Sequence, residues 1–390
     1  MPRLLHMADV HLGARHKDLG PAAAKQRDRQ FAAFRRAVDT ALERSVDVVL
    51  IAGDLFDSNA QPRRSAEKAA SELRRLADRG IPTVLIPGTH DCYDATSIYR
   101  ALDLGELAGL PQGSPLITLL TPERPDVVFP GLDLVVYGRA FDTKRAPRSP
   151  LAGFDASTET RARHRVGLIH GALAIPGMVE SDDVIFTTDE IAKSGLQYLA
   201  LGHWHSFQQG RVGSTTWAYA GAPEPVAVDQ DGAGQVLIVE LPSPESGALP
   251  ALEAVLVGKT RFRRVDVDAG AIVSQPDLVR ELRAYADPDT VLEVRLAGIA
   301  PDALDLHADD VERELSDAFL AVRVRDSSVA GLPDGPLPPA ETIAGAFIRD
   351  LRARIEAAET AGDDAAAAEA REILHLGRLL LDDPRRVTLV

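Results

Sequence analysis

Five short clusters of carboxylates and imidazoles punctuate the chain: Asp9-x-His11, Gly53-Asp54-x-x-Asp57, Gly88-Thr89-His90-Asp91, His170 and Gly202-His203-x-His205. Each follows an apolar run that reads as a strand. A buried strand has no packing reason to end in His and Asp, and while one such ending is usually structural, five in one chain point to a shared site. Residues i and i+2 of a strand share a face, so Asp9/His11 and His203/His205 are each expected to aim two ligands at one point. The glycines allow close backbone approach. Mixed imidazole and carboxylate donors suit Mn²⁺, Fe²⁺ or Zn²⁺ better than Mg²⁺ alone. The single cysteine, Cys92, leaves no paired thiolates, which disfavours a structural zinc site. The carboxylate of Asp54 can bridge two ions, and two ions roughly 3.5–4 Å apart activate a water and stabilise an in-line displacement at phosphorus. An imidazole such as that of His90 is the side-chain type best suited to move a proton in such a reaction.

The elements that must position these residues alternate. RLLHMAD, VDVVLIAGD and IPTVLIPG read as strands, separated by helices over residues 24–44, with Phe31, Phe34, Val38 and Leu42 on one face, and over 64–79. This alternation predicts a mostly parallel sheet, whose ligands gather at the carboxyl ends of its strands. From about residue 115 the pattern changes to short strands (DVVFPGLDLVVYGRA, RVGLIHG, QYLALGHWH, TWAYAGAPEP, GQVLIVEL), which read as a second sheet. PSPESGALP reads as a linker, residues 251–326 as a small α+β domain and GLPDGPLPP as a second breaker. The tail, 340–381, reads as two amphipathic helices split at Gly362-Asp363-Asp364. Their apolar stripe (Ile343, Phe347, Leu351, Ile355; Ile373, Leu376, Leu379, Leu380) must be covered by self-packing, a homodimer or a partner. The expected divisions are 1–245, 246–332 and 333–390.

A net charge of -15 argues against a uniformly basic nucleic-acid binder. The charge is uneven, slightly basic in the first hundred residues and strongly acidic in the last ninety. The Arg-rich helices KQRDRQFAAFRRAV and RRSAEKAASELRRLADR can face phosphates, or simply be solvated. No apolar run approaches the roughly 20 residues of a membrane helix, and Asp9 and His11 break the N-terminal apolar run, so no signal peptide is expected. A cytoplasmic protein without membrane association is expected.

The ordered series resembles the calcineurin-like metallophosphoesterases, whose blocks read D-x-H, G-D-x-x-D, G-N-H-[DE], H and G-H-x-H, over roughly residues 4–222. Within that family LLHMADVHLG, LIAGDLFDS and ALGHWHSF look most like the SbcD-type DNA repair exonucleases, and AGAPEPVAVDQDGAGQVLIVEL is similar to the strand pair that closes their nuclease domain. The resemblance implies an α/β, two-sheet αββα sandwich with metals at the sheet ends, a small α+β capping domain, and a C-terminal helical pair that docks on an SbcC-type coiled-coil ATPase. It implies two divalent ions, Mn²⁺ first, with Fe²⁺, Zn²⁺ or Mg²⁺ as alternatives. Asp9, His11, Asp54 and His205 would hold the first ion; Asp54, Thr89, His170 and His203 would surround the second. His90 would protonate the leaving oxygen, oriented by Asp91 or Asp57. Thr89 departs from the family pattern, which has Asn there; its hydroxyl is a weaker donor, and it can equally cap the turn. The implied activity is a metal-dependent DNA exonuclease/endonuclease. Two other activities stay open: a phosphodiesterase or phosphatase on nucleotides or small phosphoesters, and a non-catalytic scaffold weakened at the second metal. Trp204 and Phe207, beside the last cluster, can stack a base or pack in the core.

Overall fold

The computed structural model describes residues 1–144, 146, 148–174, 184–230, 232–301, 304, 306–330 and 337–382; residues 331–336 of the second breaker segment lie outside these. The chain divides into two compact units, Met1–Arg261 and Phe262–Val390.

In the first unit β1 (Arg3–Met7), β2 (Val48–Ala52), β3 (Thr83–Ile86) and β4 (Ile117–Leu119) pair in parallel, linked by α1 (Ala23–Glu43), α2 (Arg63–Ala77) and the single turns α3 (Ile98–Ala101) and α4 (Leu104–Leu107). A second sheet follows, made from β5 (Asp126–Phe129), β6 (Leu134–Gly138), β7 (His164–His170), β10 (Tyr198–Gly202), β11 (Gln208–Val212) and β12 (Thr215–Tyr219). The short pair β8 (Ala172–Leu173) and β9 (Ile185–Phe186) and helix α5 (Thr188–Lys193) lie between β7 and β10. The chain then returns to the first sheet with β13 (Gln235–Glu240), antiparallel to β1, and β14 (Ala251–Leu256), antiparallel to β13. The orders are β14-β13-β1-β2-β3-β4 and β11-β12-β10-β7-β6-β5.

The layering follows from side-chain alternation. Along β2, Val48, Leu50 and Ala52 face the second sheet and meet Val136, Val166 and Leu168. Val49 and Ile51 face the helices, meeting Phe34, Val38, Leu73 and Leu76. Both faces of the strand are covered, which is why it is apolar throughout. Beyond the second sheet, Leu199 and Leu201 pack with Phe186, Ile191 and Tyr219. The result is the expected two-sheet αββα sandwich. Ala251–Leu256 extends the first sheet, so the chain leaves this unit only after Arg261.

The second unit holds a three-stranded sheet, β15 (Arg261–Asp268), β16 (Asp287–Ala297) and β18 (Phe319–Asp326), with the latter two parallel. Helices α6 (Gln275–Arg283) and α7 (Ala308–Leu315) contribute Leu278, Leu282, Val311 and Leu315 to a core with Leu292 and Val294. A short pair, β17 (Ile299–Ala300) and β19 (Val329–Ala330), accompanies them. At the C-terminus α8 (Ile343–Ala361) and α9 (Asp364–Asp382) pack on each other through Ile348, Leu351 and Leu374. They close tightly at Gly377, where a Cβ would lie 2.1 Å from Phe347 Cζ. The stripe is therefore partly self-covered; Ile343 and Ile373 remain exposed. No described helix is long and apolar enough to cross a membrane.

Candidate metal centre

The five clusters converge at the carboxyl ends of β1, β2, β3, β7 and β10. The loops after β1 and β2 zip together: His11 N–H donates to the Asp54 carbonyl at 3.0 Å, Leu12 N–H to Leu55 at 2.9 Å and Asp57 N–H to Leu12 at 3.1 Å. His170 sits opposite Gly202 in the β7/β10 register. Glycines permit the approach. A Cβ on Gly88 would lie 2.2 Å from Asp54 Oδ1, and one on Gly202 2.0 Å from the Ala52 carbonyl oxygen.

Asp9 and His11 lie beyond β1, and His203 beyond β10, so strand alternation is not what aims them. Asp9 (φ 54°), His11 (φ 50°), Asp54 (φ 50°) and His203 (φ 112°) all have positive φ. Such backbone is uncommon for non-glycine residues and costs energy, and it concentrates at functional sites. Here it turns donors inward that an extended strand would splay.

Three groups of donor atoms each lie within 4.8 Å of one another: Asp9, His11 and His205; Asp9, Asp54 and His170; His11, Asp57 and His90. Asp9 and His11 each belong to two of these groups, and Asp54 Oδ2 also lies 3.7 Å from His11 Nε2. His170 donates Nδ1–H to the Ala52 carbonyl at 2.9 Å, which turns Nε2 toward Asp54 Oδ2 at 3.3 Å. A lone pair facing a carboxylate requires a positive charge between them, a proton or a metal ion. Burial opposes charging His170, but Asp54 and Asp9 overcome it and push its pKa up to about 10. Burial likewise opposes ionising Asp54, and the neighbouring imidazoles hold its carboxyl well below the usual range. Asp9 is driven up to about 6, first by burial and then by the charge of Asp54, against the pull of His170. His11 and His205 face each other Nε2 to Nε2 at 3.0 Å, and His11 Nδ1 faces Asp57 Oδ1 at 3.5 Å. Burial, then the charge of His11, holds His205 down to about 3. Imidazoles and buried carboxylates crowded together, with the Nε2 atoms of His11 and His205 facing each other, are a donor set that fits divalent cations.

The remaining expected residues have distinct places. Thr89 Oγ1 lies 3.4 Å from Asp54 Oδ2 and 3.5 Å from His170 Nε2. The His203 backbone N–H donates to both Asp9 oxygens at 3.0 and 3.1 Å, and its ring stands edge-on to His170 at 5.5 Å. His90 is exposed at the rim, its N–H on Asp54 Oδ1 at 2.8 Å and its Nδ1 on the Asp57 backbone carbonyl at 3.0 Å. The Asp57 carboxylate faces His11 instead, at 3.5 Å. Asp91 is fully buried, and its oxygens accept from Gly88 N–H, Phe56 N–H and the Tyr99 hydroxyl. Orientation of the His90 ring therefore comes from the Asp57 main chain, with Asp91 bracing the loops on either side.

Sequence patterns give no sign of Tyr99, or of Gln230, whose amide nitrogen lies 2.7 Å from His205 Nδ1 while its oxygen accepts from Val226 and Ala227 N–H. Residues outside the five clusters have packing or hydrogen-bonding roles. His6 is buried between the Tyr198 hydroxyl and the Leu201 carbonyl, and His16 and His164 bond Gln30 and Gln197. Burial pushes the Cys92 thiol up to about 11, which leaves it a poor nucleophile. Trp204 packs on Tyr219 at 4.6 Å. Five of the eight arginines of α1 and α2 face carboxylates: Arg35 and Arg75 share Glu72, Arg75 also takes Asp39, Arg36 lies 3.6 Å from Glu224, Arg63 takes Glu67 and Arg74 takes Asp78.

Comparison with known proteins agrees with this geometry. The chain is 34% identical over 281 residues to the DNA double-strand break repair protein Mre11 of Aeropyrum pernix, covering 69% of this chain and 64% of that protein. It is 28% identical over 212 residues to the uncharacterized metallophosphoesterase YhaO of Bacillus subtilis, covering 52% and 48%. It is 25% identical over 387 residues to the Mre11 of Methanopyrus kandleri, covering 95% and 82%. The matches to the first two thus span less than two thirds of those proteins. The model of the calcineurin-like phosphoesterases matches residues 2–207, just over half of the chain, and carries all five clusters; the chain belongs to the calcineurin-like phosphoesterase family.

Proposed function

We propose that the protein is a metal-dependent nuclease of DNA repair, hydrolysing phosphodiester bonds at this centre. The observation that carries the proposal is the convergence of Asp9, His11, Asp54, His170 and His205 on one buried point with an exposed imidazole, His90, at its edge. The similarity to proteins named Mre11 supports DNA as the substrate.

Asp9, His11, Asp54 and His205 would hold one divalent ion, and Asp54, Thr89, His170 and His203 a second, Mn²⁺ by preference for this donor set. Bound ions of this kind activate water and neutralise charge on the phosphoryl oxygens. The protein's own groups do the rest. The Ala52 carbonyl and the Gln230 side chain orient the rings of His170 and His205. The Asp57 carbonyl takes the Nδ1–H of His90, so the proton exchanged with the leaving sugar oxygen is carried on Nε2. The exposed apolar residues of the α8/α9 hairpin are the place we assign to a coiled-coil ATPase or to a second copy of the chain. The arginines of α1 and α2 that pair with carboxylates add little to a grip on DNA, and a partner that shares that grip would add to it.

Purified protein with Mn²⁺ should degrade labelled linear DNA. Activity confined to a small chromogenic phosphodiester would move the assignment to small phosphoesters. Silence on both, even with an ATPase partner and ATP, would leave a scaffold.

Thr89 gives a second test. Its hydroxyl already lies beside Asp54 and His170, and an amide oxygen would reach further into the site as a better donor. Thr89→Asn should tighten Mn²⁺ binding by about tenfold. Titration calorimetry that returns the same affinity for both forms would remove Thr89 from the ligand set.

A further inference from the structure

We propose that Tyr99 is a positioning residue for the metal centre, holding its two central loops at their working separation through Asp91; this rests on the hydrolase assignment above. Asp91 joins three segments. Oδ1 accepts from Gly88 N–H at 2.7 Å, and Oδ2 accepts from Phe56 N–H at 3.0 Å and from the Tyr99 hydroxyl at 2.5 Å. Phe56 lies between Asp54 and Asp57, and Gly88 two residues before His90. A single buried carboxylate therefore ties the loop that carries Asp54 to the loop that carries His90. Two of its donors are main chain; the third, Tyr99, is a side chain that one substitution can remove without altering the backbone. Helix α3, which carries Tyr99, is itself fastened to both loops. The Ile98 N–H donates to Asn59 Oδ1 at 3.0 Å, and Asn59 Nδ2 donates to the Cys92 carbonyl at 2.9 Å. The Phe56 and Tyr99 rings also pack, with centroids 5.9 Å apart.

The spacing has no slack. Gly88 sits so close to Asp54 that even a methyl group would collide, and His90 N–H bonds Asp54 Oδ1 across the same gap. Displacements near 1 Å at a reacting centre are costly in rate. Tyr99 also lines a cleft of about 550 Å³ floored by Leu85, Leu102, Leu104, Ile117 and Leu119. Removing the Tyr99 ring would join its space to that cleft, and a small phenol could then enter and reach Asp91.

Tyr99→Phe keeps the ring and removes one hydrogen bond to a carboxylate. It should weaken Mn²⁺ binding in calorimetry by about tenfold and lower kcat on DNA by about tenfold at unchanged KM. Tyr99→Ala should lose more, and millimolar phenol should restore Mn²⁺ affinity where benzene does not. Wild-type Mn²⁺ affinity and kcat in Tyr99→Phe, or rescue by benzene as complete as by phenol, would reduce Tyr99 to packing and overturn the proposal. If Tyr99→Ala does not fold, Tyr99→Phe decides alone. The calorimetric arm needs no turnover, so an inactive wild-type protein would sink the hydrolase assignment while the Mn²⁺ titrations still decide the role of Tyr99.

Discussion

Replacing His90 with alanine is expected to lower turnover on DNA by about 10²–10⁴-fold, the usual worth of a positioned proton donor, and to leave Mn²⁺ affinity unchanged. The separation of the two effects follows from what each part of the residue does. The His90 main-chain N–H holds Asp54 Oδ1 and survives the substitution; the ring, exposed at the rim, is what is lost. The ring's direction is set by an acceptor that can only accept, the Asp57 carbonyl, so Nδ1 keeps its hydrogen and Nε2 is left to exchange one. A deoxyribose oxygen is a poor leaving group and needs that proton; a nitrophenolate does not. The loss should therefore be large on DNA and small on a nitrophenyl phosphodiester. Equal losses on both substrates would show that His90 contributes charge or position rather than a proton, and an unchanged rate on DNA would remove it from the reaction.

How far the site was legible in the chain depends on how local its causes are. The five clusters can be read because Asp and His at the ends of apolar strands have no packing use, and the alternation of strands and helices brings those ends to one side. The mechanism of aiming cannot be read. The strand-face rule predicts that Asp9/His11 and His203/His205 point together by alternation, yet Asp9, His11 and His203 lie past the strands in backbone with positive φ, a choice forced by the loop-to-loop hydrogen bonds. Nor can the duties of Asp91 be read. Its partners, Phe56, Gly88 and Tyr99, come from three segments that meet only once the sheet is assembled. Gln230 is invisible for the same reason, being a loop residue that meets His205 from 25 positions away. The arginine-rich helices show the reverse case. Their charge is plain in the chain, but its neutralisation by Glu72 and Asp39 depends on how α1 and α2 pack.

Substituting asparagine for Asp54 should have the largest effect of all, removing at least about 10³-fold of the activity together with the protein's thermal response to metal. Asp54 is almost fully buried. Oδ2 stands 3.3 Å from His170 Nε2 and 3.7 Å from His11 Nε2, one nitrogen from each histidine cluster, while Oδ1 is held by His90 N–H. Its negative charge keeps His170 charged when no metal is bound, and the same charge would draw a cation into that place. The amide is nearly isosteric, so the loops can close as before, but it carries no charge and offers one oxygen in place of two. In the wild type, Mn²⁺ at a hundred times its Kd adds about 2.7 kcal/mol to the folded state. At roughly 2–4 °C per kcal/mol for domains of this size, that is a rise in Tm of several degrees, reversed by a chelator. Asp54→Asn should show little or none of that rise, whatever its metal-free Tm. The difference between melting curves with and without Mn²⁺ is thus the readout, because it is insensitive to any change in packing that the substitution causes. A full wild-type rise in the variant would mean that the cation is held without Asp54, and the shared carboxylate would then have to be Asp9, the acidic residue that belongs to two of the three donor groups.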